Sequence, residues 1–150
     1  MNLKVWIFWS IIMGDILKLQ QARVILEQYF SFYLKNLSFE PKLARIFIQF
    51  RDEIQLYIRY NNHNQYSYSV IFSKNELDRC RFDNFDDRWK VSSRPHHFHP
   101  RFNKLGFLSP MVGLPEKDIP RLCDLIIHGK LLPRDVRFWS YFKYSGSFGI

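Results

Sequence analysis

The chain has 150 residues, enough for one domain with a real core. Its apolar fraction of 47% excludes a disordered chain. The net charge of +8 favours an anionic partner, namely nucleic acid, an acidic protein or an anionic membrane, without choosing among them. Cys80 and Cys123 form no CxxC pair, which fits two buried thiols in a reducing cytoplasm and no zinc motif.

Val5–Ile12 is apolar but far too short to span a bilayer, and no cleavage site follows it. Residues 1–13 are expected to be a hydrophobic extension or a mis-assigned start, with Met13 as the alternative first residue. From Asp15 to about Leu37 the apolar positions Leu19, Ala22, Leu26, Tyr29 and Tyr33 recur at helical spacing, with Asp15 as N-cap. Four alternating runs follow, at 42–50, 53–60, 65–72 and 76–84, separated by short turn-like breaks. The reading is an α+β fold: an N-terminal helix packed on a four-stranded antiparallel meander, then a His-rich loop and a short C-terminal helix capped by Asp118. Ala44, Ile46, Ile48, Ile54, Leu56, Ile58, Cys80 and Phe82 should face the helix. The opposite face would carry Arg45, Gln49, Tyr57, Arg59, Arg79 and Arg81, a basic and aromatic surface suited to a phosphate backbone. Residues 85–115 read as irregular. The single domain is placed at 14–130, and 131–150 is an aromatic tail without an assigned role.

Three of the five histidines fall together in Pro95-His96-His97-Phe98-His99. Arg81-Phe82-Asp83-Asn84 stands upstream and Arg94 abuts the cluster. Histidine exchanges protons near neutral pH. RNA cleavage by its own 2′-hydroxyl needs a base, an acid and positive charge on the phosphorane. His96, His97 and His99 with Arg81 meet those needs, and Asp83 can fix one imidazole tautomer. The same residues allow a metal held by Asp83 and two histidines, phosphate binding without reaction, or a surface loop with no chemistry. Spacing alone favours binding or the inert loop over catalysis.

The runs Tyr66-Ser67-Tyr68, Arg81-Phe82-Asp83-Asn84 and Pro95-His96-His97-Phe98-His99 together resemble the core of the TumE family of small toxins from toxin–antitoxin operons. The order of elements matches from Tyr29 to Ile127. Phe85-Asp86-Asp87-Arg88-Trp89-Lys90 departs from the small residues, proline and extra histidines the family often has there, and Phe98 replaces its usual basic residue. The resemblance implies a cytoplasmic ribonuclease toxin whose partners are RNA and a cognate antitoxin, with a second copy of itself as a further candidate and no membrane. The expected catalytic residues are His96, His97, His99, Asp83 and Arg81. The expected nucleic-acid contacts are Arg94, Arg59, Arg45, Tyr57 and Arg79. This version uses no metal and no cofactor. The alternative is a non-catalytic protein on the same scaffold that binds nucleic acid or the antitoxin.

Overall fold

The computed structural model describes residues 2–133, and of residues 5–13 the backbone alone. The aromatic tail expected over 131–150 lies, beyond its first three residues, outside them. Among the described residues, no helix is long and apolar enough to cross a membrane. The elements are α1 (Leu3–Tyr29), β1 (Leu34–Glu40), β2 (Arg45–Phe50), β3 (Gln55–Tyr60), β4 (Tyr66–Ile71), β5 (Arg79–Asp83), β6 (His97–His99), β7 (Phe107–Leu108) and α2 (Pro115–Ile127). All seven strands form one antiparallel sheet in sequence order. The meander is therefore longer than the four strands expected, gaining one strand before them and two after.

Each hairpin has a local cause. At β2–β3, Glu53 takes a left-handed conformation and its N–H donates to Phe50 O at 3.0 Å. At β3–β4, the Asn61 side chain accepts from the N–H groups of His63 (2.9 Å) and Gln65 (3.0 Å), and Asn64 supplies the left-handed residue. Alternation then sorts side chains by face. Ile46, Ile48, Leu56, Ile58, Val70, Cys80 and Phe82 are buried, with Ala44 and Ile54 partly buried beside them. Leu19, Ala22 and Leu26 of α1 are fully buried, and α1 packs on β2, β3 and α2.

Three expectations fail at element ends. The first helix spans Leu3–Tyr29, not 15–37, and is capped by the Asn2 side chain, which accepts from Lys4 N–H. The stretch given to its last turns is the edge strand β1. A register shift between Leu34 and Asn36 interrupts the strand alternation, so that Leu34 and Leu37, three residues apart, both pack against the core. Asp118 does not cap α2. It lies inside the first turn, fully buried, and accepts from Val112 N–H (2.9 Å), Gly113 N–H (2.7 Å) and the Tyr68 hydroxyl (2.7 Å). Tyr60 and Tyr68 share a further hydroxyl contact at 2.9 Å. This network ties β3 and β4 to the entry of α2 through the apolar layer. Gly113, at φ 85°, lies against Tyr66, where a Cβ would meet the ring at 3.0 Å.

Candidate active site

Strand register brings the sequence candidates into two rows across the sheet. One row is Arg45, Arg59, Ser67, Asp83 and His97, from β2 to β6. The other is Phe47, Tyr57, Ser69, Arg81 and His99. Both rows lie on the face opposite the buried Ile, Leu and Val residues, because strand side chains alternate. The histidine segment expected to be a loop is thus itself a strand. Asp83 faces His97 directly, and Arg81 faces His99.

Asp83 is the buried centre of this arrangement, with no exposed surface. Its Oδ1 lies 2.8 Å from His97 Nε2, an ion-pair distance off the line of a hydrogen bond, and accepts from Phe85 N–H at 3.1 Å. Its Oδ2 pairs with Arg81 Nε. His97 Nδ1–H donates to Pro95 O at 3.0 Å. Both His97 ring nitrogens therefore face oxygen atoms. The chain Pro95–His97–Asp83–Arg81 orients a guanidinium that is half exposed on the open face. His97, at 1% exposure, is sealed from any substrate.

His99 is different. It is half-buried, and its Nδ1–H donates to Leu105 O at 3.2 Å, which leaves the lone pair on Nε2. Burial first, then the neighbouring Arg81 charge, hold its pKa below the ordinary 6.5. A neutral imidazole with a bare Nε2 is the state a general base requires. His99 also lines a pocket of about 370 Å³ with Arg79, Arg81, Arg88, Trp89 and Lys104. The Trp89 ring meets His99 edge-on at 5.6 Å, and the Arg88 guanidinium lies 4.8 Å over the indole. Gly106 makes room for that indole, since a Cβ there would fall 2.5 Å from two ring carbons. Sequence reasoning missed Arg88, Trp89 and Lys104. The only signal was a basic and aromatic composition in a segment without periodicity.

Other candidates separate from this centre. His96 precedes β6 and points to the apolar side of the sheet, where its Nδ1 meets the Tyr66 hydroxyl at 3.0 Å and its ring stacks on Tyr66. Burial lowers its pKa too, with the His97 charge second. Arg94 is held by Asp87, through the carboxylate at 2.5 Å and the carbonyl at 2.9 Å. Arg45 pairs with Glu40. Arg59 is exposed, and Tyr57 is half-buried. Asn84 accepts from Tyr66 N–H at 3.0 Å and donates to Asn64 O at 2.9 Å, a structural clasp.

Asp83, His97 and His99 also place one ligand atom each within 4.8 Å of one another, close enough to converge on a metal ion. The Arg81 charge beside Asp83 opposes a cation there, and Asp83 already bridges His97 and Arg81.

No curated protein and no solved structure gives a significant match to the chain. A family model described as "Toxin TumE" matches residues 21–122, which takes in all three motifs and both rows of the open face. That match covers well over half of the sequence, and the chain therefore belongs to the TumE family, toxins of toxin–antitoxin systems.

Proposed function

We propose that this toxin is a metal-independent ribonuclease in which a single histidine, His99, does the proton transfer. The carrying observation is the Arg81–His99 pair, directly opposed across β5 and β6 on an open pocket whose lining sets Arg79, Arg81, Arg88 and Lys104 against Glu76 and Asp86. His99 Nε2 takes the proton of a ribose 2′-hydroxyl. The 2′-oxygen then forms a bond to phosphorus as the bond to the 5′-oxygen breaks. The products are a 2′,3′-cyclic phosphate and a 5′-hydroxyl, whose proton comes from water; the hydroxide left takes the proton held on His99, which restores the base. Arg81, with Arg79, Arg88 and Lys104 around the same pocket, balances the charge of the phosphorane. Asp83 and His97 are positioning residues: they hold Arg81 and touch no substrate. His96, on the other side of the sheet, takes no part.

One base gives a different pH profile from two. The cleavage rate should rise with pH through the lowered pKa of His99 and then level off, rather than trace a bell. His99→Ala should cost about 10²–10⁴ in rate, while His96→Gln should leave it close to wild type. A bell-shaped profile together with loss of activity in His96→Gln would return the reaction to a two-histidine mechanism.

The convergence of Asp83, His97 and His99 favours one second reading, a metal-dependent nuclease. It predicts loss of cleavage in EDTA and recovery with added metal, whereas the His99 reading predicts neither. As a toxin of a toxin–antitoxin pair, the chain also takes an antitoxin as partner, and its net charge of +8 suits an acidic one.

A further inference from the structure

The chemistry proposed at the His99 pocket uses the β5–β6 end of its cross-strand row. The far end of the same cross-strand row is not used by that chemistry. There, Phe47 and Tyr57 sit directly opposite each other on β2 and β3, with ring centroids 5.0 Å apart. Both are half-buried on the open face, whereas the apolar layer on the other face is filled by Ile46, Ile48, Leu56 and Ile58. The Arg45 guanidinium lies 5.5 Å over the Tyr57 ring, and Arg59, exposed, faces Arg45 across the strands. Glu40 pairs with Arg45 and offsets one of these two charges.

Between this aromatic pair and Arg81, the row holds only Ser69, with Ser67 beside it. These small hydroxyl residues, Ser69 half-buried and Ser67 buried, put no bulky side chain on the path running straight across the strands. From β3 to β6 it covers three strand spacings, about 14 Å. Arginines stand at both ends of it. Rings beside arginines on a sheet face can stack unpaired bases, while the arginines follow the backbone. A duplex cannot use such rings, because its base faces are already stacked.

We infer that Phe47 and Tyr57 form a base-stacking subsite that makes single-stranded RNA the substrate, laid across β3 to β6 with its scissile phosphate at Arg81 and His99. This rests on the reading of the His99 pocket as an RNA site. The test is therefore run on binding as well as on cleavage. The probe is a fluorescein-labelled oligoribonucleotide of about eight residues, single-stranded or closed into a duplex, titrated with the full chain carrying His99→Ala so that nothing is cleaved. Adding Tyr57→Ala should weaken single-strand binding roughly 5- to 100-fold and leave duplex binding unchanged. Tyr57→Trp should retain the affinity, which separates a lost ring from a lost fold. In the cleaving protein, Tyr57→Ala should raise KM for the longer RNA more than it lowers kcat. Unchanged single-strand affinity in Tyr57→Ala overturns the inference. So does an equal loss on duplex, or a loss of antitoxin binding alone. If wild type cleaves nothing but Tyr57 still sets single-strand affinity, the subsite stands and the cleavage reading falls.

Discussion

Replacing Asp83 by alanine should loosen the sheet and the site together, by amounts that can be worked from its contacts. The carboxylate is fully buried and meets three groups: His97 Nε2 at 2.8 Å, Phe85 N–H at 3.1 Å and Arg81 Nε. A buried charge left without its partner costs about 3–5 kcal/mol. His97 keeps its Nδ1–H bond to Pro95 O and avoids most of that, so what is lost is its contact with the carboxylate and the Phe85 N–H bond, together about 1.5–3 kcal/mol. Arg81 is half exposed, so its pair adds only about 0–1 kcal/mol. Urea denaturation should therefore show Asp83→Ala less stable by about 1.5–4 kcal/mol, with Asp83→Asn nearer half of that. Activity should separate positioning from mere stability. If Asp83 acts by holding Arg81, its loss lowers kcat more than it raises KM, and adding Asp83→Ala to Arg81→Ala lowers kcat little further. A stability loss below about 1 kcal/mol would refute the buried-pair reasoning. Fully additive losses of kcat would refute the positioning role.

Further outcomes test the parts around it. Gly106→Ala places a methyl 2.5 Å from the Trp89 ring and should cost about 1–3 kcal/mol while moving the indole, read by near-ultraviolet circular dichroism. Tyr68→Phe removes the hydroxyl that donates to Asp118 at 2.7 Å and should cost about 1.5–3 kcal/mol in urea, with cleavage unchanged. Burial lowers both His96 and His99, so as pH falls below 6.5 the unfolded chain takes up their protons first. Stability should decline over that window, and a variant carrying His96→Gln and His99→Gln should show a shallower decline. Burial raises the Asp118 pKa above the ordinary 3.8, so its own contribution runs the other way and fades as pH rises through the raised value. Arg81→Ala should reduce the slope of RNA affinity against salt by about one, and Arg94→Ala, already held by Asp87, should change it less.

The sheet was legible wherever alternation was long and unbroken. The six-residue strands β2, β3 and β4 announce their faces residue by residue, and their apolar positions are buried as the pattern requires. β1 was not legible, because its register shift interrupts the alternation between Leu34 and Leu37. Tyr29 and Tyr33, read as the end of the helical stripe, are exposed instead. β6 and β7 are three and two residues long, and Pro95, Pro100 and Gly106 around them mask any period. Yet His97-Phe98-His99 already carried the alternation that sends His97 and His99 one way and Phe98 the other. Taken as a strand, it separates His96 from its neighbours without coordinates. What no local pattern carries is depth. His97 and His99 share a face, but the Pro95 carbonyl and Asp83 seal one, while the Leu105 carbonyl fixes the other at a pocket wall. Asp118 illustrates the same limit, since a helix-start aspartate looks alike in sequence whether it caps the helix or anchors a buried network.

Incubation of the purified chain with single-stranded RNA, beside His99→Ala and His96→Gln and with and without EDTA, tests whether His99 is the base. A His99 base predicts cleavage to 2′,3′-cyclic phosphate and 5′-hydroxyl ends by wild type and by His96→Gln, a loss of about 10²–10⁴ in His99→Ala, and indifference to EDTA. Cleavage by His99→Ala at the wild-type rate, or no cleavage by wild type on several RNAs across the pH range, would contradict it.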